Sequence, residues 1–186
     1  LFYVDATPGS SIDDPERPSI PDEGDKEEPK PDEDENVTGT LAFEDIWPSG
    51  GDYDMNDVLV QYTYQKVFNI YNEILSESFT FKTLYNKYTV FTNGLGFTLS
   101  NAGNAQSTEY LIKKEGEKGF TVASGTDKFT RESNAIILTD NVKTNPNAEY
   151  KVTFKYGDKN SNKKQETSID AFIYRPSKEG NRLEIH

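Results

Sequence analysis

The chain has 186 residues, no cysteine, one histidine and a net charge of −12, which suits one domain with extras and excludes disulfides and thiolate metal sites. Its acidity argues against nucleic acid, which needs a basic footprint, and no apolar run is long enough to cross a bilayer. The charge is uneven: residues 1–35 carry thirteen acids and three bases, a balance of −10, whereas residues 36–186 carry nineteen and seventeen, a balance of −2.

Residues 1–7, LFYVDAT, are apolar enough for a strand and read as the end of a preceding domain. The first ten residues lack the basic start and long apolar core of a signal peptide. Both ends read as cut from a longer chain. Residues 8–37 form an acidic, proline-rich linker, with six of the nine prolines before residue 36 and no apolar periodicity. The main domain is expected over residues 38–186. It opens with Thr38–Phe43, and then Val58, Val60, Tyr62 and Tyr64 alternate with Leu59, Gln61 and Thr63, which puts the two sets on opposite faces of a strand. Residues 74–85 alternate again, with Phe79, Phe81 and Thr83 on one side. Tyr88–Leu99 is a further strand whose glycines, Gly94 and Gly96, predict a bulge or a close approach. Shorter strands are expected at 108–113, 119–123, 134–139, 148–156, 167–174 and 181–186. Many short strands with polar turns predict an all-β domain, an antiparallel β-sandwich of jelly-roll-like form. The aromatic content of 12% supplies core volume for it. Trp47, beside Pro48, is expected to anchor the neighbouring loop by packing.

That loop is the chemical feature of the chain. Phe43–Asp57, FEDIWPSGGDYDMND, carries Glu44, Asp45, Asp52, Asp54, Asn56 and Asp57 within fifteen residues. Side-chain oxygens on a tight loop suit a hard cation such as calcium. Asp52, Asp54 and Asn56 follow the two-residue spacing of an EF-hand loop, but Asp57 stands where that loop needs glycine and Thr63 where it needs glutamate. A calcium site here must therefore be completed from elsewhere, with Asp170 in the late strand SIDAFIY as a distant candidate. Zinc lacks its usual histidine and cysteine ligands. Two other readings stay open: carboxylates that cap turns without a metal, and a carboxylate pair that cleaves glycosidic bonds. A serine–histidine–acid set would have to use His186 and lacks a nucleophile elbow.

The run GTLAFEDIWPSGGDYDMNDVLVQYTY, residues 39–64, resembles the LruC-domain family, whose pattern looks like AFEDLWP, a glycine turn, then GDYDFNDLVVDY. Phe43, Glu44, Asp45, Trp47, Pro48, Gly51, Asp52, Tyr53, Asp54, Asn56 and Asp57 match, while Met55 replaces phenylalanine and Gln61 replaces aspartate. Asn93–Phe97, Asp170–Ile173 and Arg182–His186 are similar to later family segments, and the likeness covers roughly residues 38–186. It implies an exported protein, extracellular or at the outer-membrane surface, with a lipid anchor upstream. It supplies no catalytic activity.

The expected function is a calcium-stabilised surface-binding or adhesion module. Its partner would be a surface glycan or another extracellular protein. The alternatives are a polysaccharide hydrolase and a subunit of a surface filament offering an unpaired edge.

Overall fold

The computed structural model describes residues 35–46, 54–84, 91–102, 105–157, 166–176 and 182–186. Residues 1–7, most of the linker, Trp47, Asp52 and Tyr53 lie outside them. The described residues form eleven strands: β1 (Glu35–Phe43), β2 (Val58–Phe68), β3 (Ile74–Thr83), β4 (Gly94–Ser100), β5 (Ser107–Lys113), β6 (Thr121–Val122), β7 (Thr130–Glu132), β8 (Ala135–Thr139), β9 (Glu149–Lys155), β10 (Ser168–Pro176) and β11 (Arg182–Ile185). One sheet has the order β1-β2-β3-β9-β5-β6 and the other β11-β10-β4-β8-β7. Every pairing is antiparallel. Among the described residues no helix is long and apolar enough to cross a membrane.

Period-two alternation explains the core. Val58 and Val60 of β2, Phe79 and Phe81 of β3, and Tyr150, Val152 and Phe154 of β9 are buried from the first sheet. Leu95 and Phe97 of β4, Ile136 and Leu138 of β8, and Ile173 of β10 meet them from the second. Phe97 joins the layers, its ring centroid 5.1 Å from Phe81 and 6.1 Å from Phe79. Each such large side chain contributes about 1.5–3 kcal/mol by leaving water, so the two-sheet β-sandwich is held chiefly by these faces.

Departures from the sequence reading have local causes. The first strand begins at Glu35, three residues ahead of the expected boundary, because Glu35↔Lys66 already belongs to the β1–β2 ladder. The segment from Tyr64 to Leu75, which can be misread as a helix, is the end of β2, a turn with Asn72 at φ 58°, and the start of β3. The short β7, TRE, has no apolar alternation to betray it. Its ladder with β8 creates it, through a turn in which Ser133 has φ 49°.

The two glycines of β4 behave as expected. The β4–β8 register shifts between Leu95 and Gly96. Gly94 lies opposite Tyr174, and a Cβ there would sit 2.2 Å from the tyrosine ring. Tyr174 and Phe172 thus cross β4 on the outer face of the second sheet, where they form a small cluster with Ala135 and Ile137.

A buried carboxylate ties the layers together at the opposite end of the β2–β3 pair from the acidic loop. Glu77 on β3 is fully buried. Its Oε1 accepts from Tyr64 Oη at 2.5 Å and the Thr167 N–H at 2.8 Å, and its Oε2 from Tyr156 Oη at 2.7 Å and Thr167 Oγ1 at 2.6 Å. Four donors match two carboxylate oxygens, so burial of the charge is tolerated. Burial and the neighbouring Glu77 push both tyrosine hydroxyls up, which keeps them protonated as donors. Nearby Lys66 is buried but paired with Glu35 and with Glu166 at 2.6 Å. Burial pulls its pKa down, and these two partners outweigh it and raise it.

Candidate metal centre

The β1–β2 ladder builds the site. Its last pair is Phe43↔Val58, so Glu44 and Asp57 stand at the next register position. Asp45 follows, and its backbone N–H donates to Asp57 Oδ2 at 3.0 Å, closing the loop between the strands. One carboxylate oxygen from each of Glu44, Asp45 and Asp57 lies within 4.8 Å of the others. Glu44 and Asp45 are each 2% exposed. Two oxygens about 2.4 Å from one ion can be at most about 4.8 Å apart, so this spacing fits a shared cation. The structure therefore holds a buried acidic cluster capable of coordinating a divalent cation. Its all-oxygen donor set suits a hard ion rather than zinc.

The second sheet braces the same point. Asn93, buried just before β4, donates its amide to Asp45 Oδ2 at 2.9 Å. The Asn93 carbonyl accepts from the Val142 N–H at 2.9 Å. Arg175 on β10 donates to the Asp45 backbone carbonyl, and its guanidinium lies 3.9 Å from Asp45 Oδ1. That guanidinium stacks on Phe91, 4.1 Å from the ring centroid. Among the described residues one arginine, Arg175, faces the three carboxylates, an acidic excess that favours a cation.

The other candidate ligands are placed differently. Asp54 and Asn56 are joined to each other, Asn56 Nδ2 donating to Asp54 Oδ2 at 2.5 Å at the exposed turn. Met55 between them has φ 54°, and this left-handed residue turns the chain sharply there. Neither Asp54 nor Asp170 belongs to the group within 4.8 Å. Asp170 shares its parity with Phe172 and Tyr174 on the outer face of the second sheet, and its Oδ2 lies 2.9 Å from His186 Nδ1. Asp52 and Trp47 lie outside the described residues. Asn93 and Arg175 escaped the sequence reading as partners of this loop. Arg175 shares the parity of the inward-facing Ile169, Ala171 and Ile173, the signal that could have found it.

The described residues show no clear catalytic machinery. The buried Asp45 carboxylate is held to an amide and the half-buried Asp57 carboxylate to a backbone N–H, which suits anchoring better than meeting a substrate. No protein-family model and no curated protein matches the chain. Among solved structures, it is similar to the collagen binding domain of Erysipelothrix rhusiopathiae surface protein RspB, at 13% identity and a TM-score of 0.38, over 84% of this chain and 54% of that one. The chain thus spans about half of that structure, and a likeness at this score carries no argument about fold or function.

Proposed function

We propose that the chain is a calcium-stabilised binding module of an exported or surface protein, of the LruC type that residues 39–64 resemble. The observation that carries this reading is the Glu44–Asp45–Asp57 cluster, buried where the first sheet's ladder ends and braced by the second sheet. Calcium's role is structural: it offsets the repulsion of three carboxylates and fixes the entry to β2. Calcium is favoured over magnesium because it accepts several carboxylates in irregular geometry. The surface so stabilised binds a glycan or an extracellular protein.

The test is calorimetric calcium titration, with thermal melting in calcium and in chelator, on the parent and on Asp57→Ala. Saturable binding that raises the melting temperature, and that disappears in the variant, supports the reading. No binding and no shift in melting sinks it and returns the cluster to turn capping.

One observation favours a filament subunit as a second reading. Strand β11 pairs, among the described residues, only with Ile173–Pro176 of β10. Among the described residues nothing pairs with the outer edge of Ser168–Phe172, and a cleft of about 410 Å³ lined by Leu41, Phe43, Tyr62, Ile169 and Ala171 together with Asp170 and His186 adjoins it. An unpaired edge over a mainly apolar cleft suits an added strand. Concentration-dependent sedimentation decides: a monomer at all concentrations removes this reading.

A further inference from the structure

We propose that the polar cavity beneath the turn after β8 is a binding site for a neutral polyhydroxylated ring, the single sugar unit of a glycan. It rests on the surface-binding reading and is separate from the acidic cluster. The cavity is about 110 Å³ and is lined by Asp127, Thr139, Asp140, Thr144, Asn145 and Tyr150, with Ile137 and Leu138 beside them. That volume is well under the roughly 300–1,000 Å³ of a cleft for a drug-sized ligand, so it admits the edge of one ring and not a chain.

Tyr150 is the observation that points to a ligand. It is 1% exposed and lines the cavity, and its buried hydroxyl makes no hydrogen bond. Burying a hydroxyl unpaired is costly. Thr139 and Asn145 lie beside it, near enough to favour its charged form but outside hydrogen-bond geometry. Burial nevertheless pushes it up to about 12, so it stays a donor at neutral pH. A ligand must therefore offer an acceptor at the cavity base. Around it stand acceptors and donors together: carboxylates, amides and threonine hydroxyls. A sugar hydroxyl both donates and accepts and satisfies such a set.

Charge selects a neutral ligand. Asp127 already pairs with Lys114 at 2.7 Å and accepts from Asn145 Nδ2 at 2.9 Å. Asp140 accepts from Tyr174 Oη. With both carboxylates engaged and Lys128 at the lining, the cavity presents neither the bare anionic set a metal needs nor the cationic set an acid needs.

The experiment is a titration of the full chain, followed by amide chemical shifts, with glucose, galactose, mannose and N-acetylglucosamine, and with glucuronate as the anionic control. It is run in calcium and repeated in chelator. Saturable shifts in residues 126–130 and 139–145 with a neutral sugar, and weaker ones with glucuronate, are expected. Tyr150→Phe weakens binding about tenfold, the loss of one hydrogen bond, with the melting temperature maintained. Absence of saturable shifts with every sugar, or equal affinity in Tyr150→Phe, overturns the site and leaves a water-filled cavity. Failure here while calcium still raises the melting temperature removes this site alone. Sugar binding without any calcium effect removes the calcium reading alone.

Discussion

The Asp45 N–H and Asp57 Oδ2, twelve residues apart in sequence, meet at 3.0 Å and close the acidic loop. The contact makes Asp57 both a hydrogen-bond acceptor and one of the three clustered carboxylates. The two roles separate in Asp57→Asn, which keeps an acceptor oxygen and removes the charge. In chelator the variant should melt at or above the parent, because a repelling charge is gone. In calcium it should melt below the parent, which gains about 2.7 kcal/mol when free ion is a hundredfold above Kd. Paired melts in the two buffers check the crossing. An equal drop in both would show the loop to be held by the hydrogen bond alone.

Glu77→Gln should cost about 2–4 kcal/mol, since hydrogen bonds to a charged group are each worth about 1.5–3 kcal/mol and the amide turns an –NH2 toward donors. Tyr64, Tyr156 and Thr167 all donate to this carboxylate, so no rearrangement of one neighbour satisfies a glutamine. Urea unfolding of the variant measures the loss. A change under about 0.5 kcal/mol, the range of ordinary surface substitutions, would remove Glu77 from the interlayer contacts.

The alternation of Val58–Tyr64 and of Phe79–Thr83 was enough to place the core faces, because a strand's period ties parity to one side. The density of acids between Phe43 and Val58 marked the site for a similarly local reason: nothing in a plain hairpin needs so many like charges. Contacts across 48 and 130 residues, Asn93 and Arg175 to Asp45, name no partner locally, although parity in β10 turns Arg175 inward. Glu77 shares the parity of Phe79 and Phe81, so its inward position was legible although the sequence analysis did not name it. What was hidden was the compensation for its charge, supplied by Thr167 ninety residues later. Parity also explains Asp170: alternate residues of β10 face outward, so its chemistry is with His186 and not with the acidic loop.

Gly94→Ala should destabilise by about 1–3 kcal/mol, the usual cost of overpacking. The added methyl meets the Tyr174 ring at 2.2 Å, and that ring is fixed by its hydroxyl on Asp140. Tyr174→Leu in the same chain should recover part of the loss, because it removes the ring the methyl strikes. Additive losses in the double variant, measured by denaturant unfolding, would place the strain elsewhere.

Acid stability should depend on Asp127. Lys114 at 2.7 Å, with help from Asn145 and against the desolvation that raises it, holds this carboxyl below the usual range. A carboxyl that binds its proton less readily in the folded chain favours folding above its unfolded value of about 3.9, and that contribution fades as pH falls through the lower folded value. Lys114→Gln removes the partner, so parent and variant should differ by a constant amount above roughly pH 5 and converge on acidification. Salt should shrink the difference at neutral pH, since the lysine is exposed to solvent. Urea midpoints for both chains across the acid range decide it: a gap that stays the same at every pH means that Lys114 acts through packing and not through the charge on Asp127.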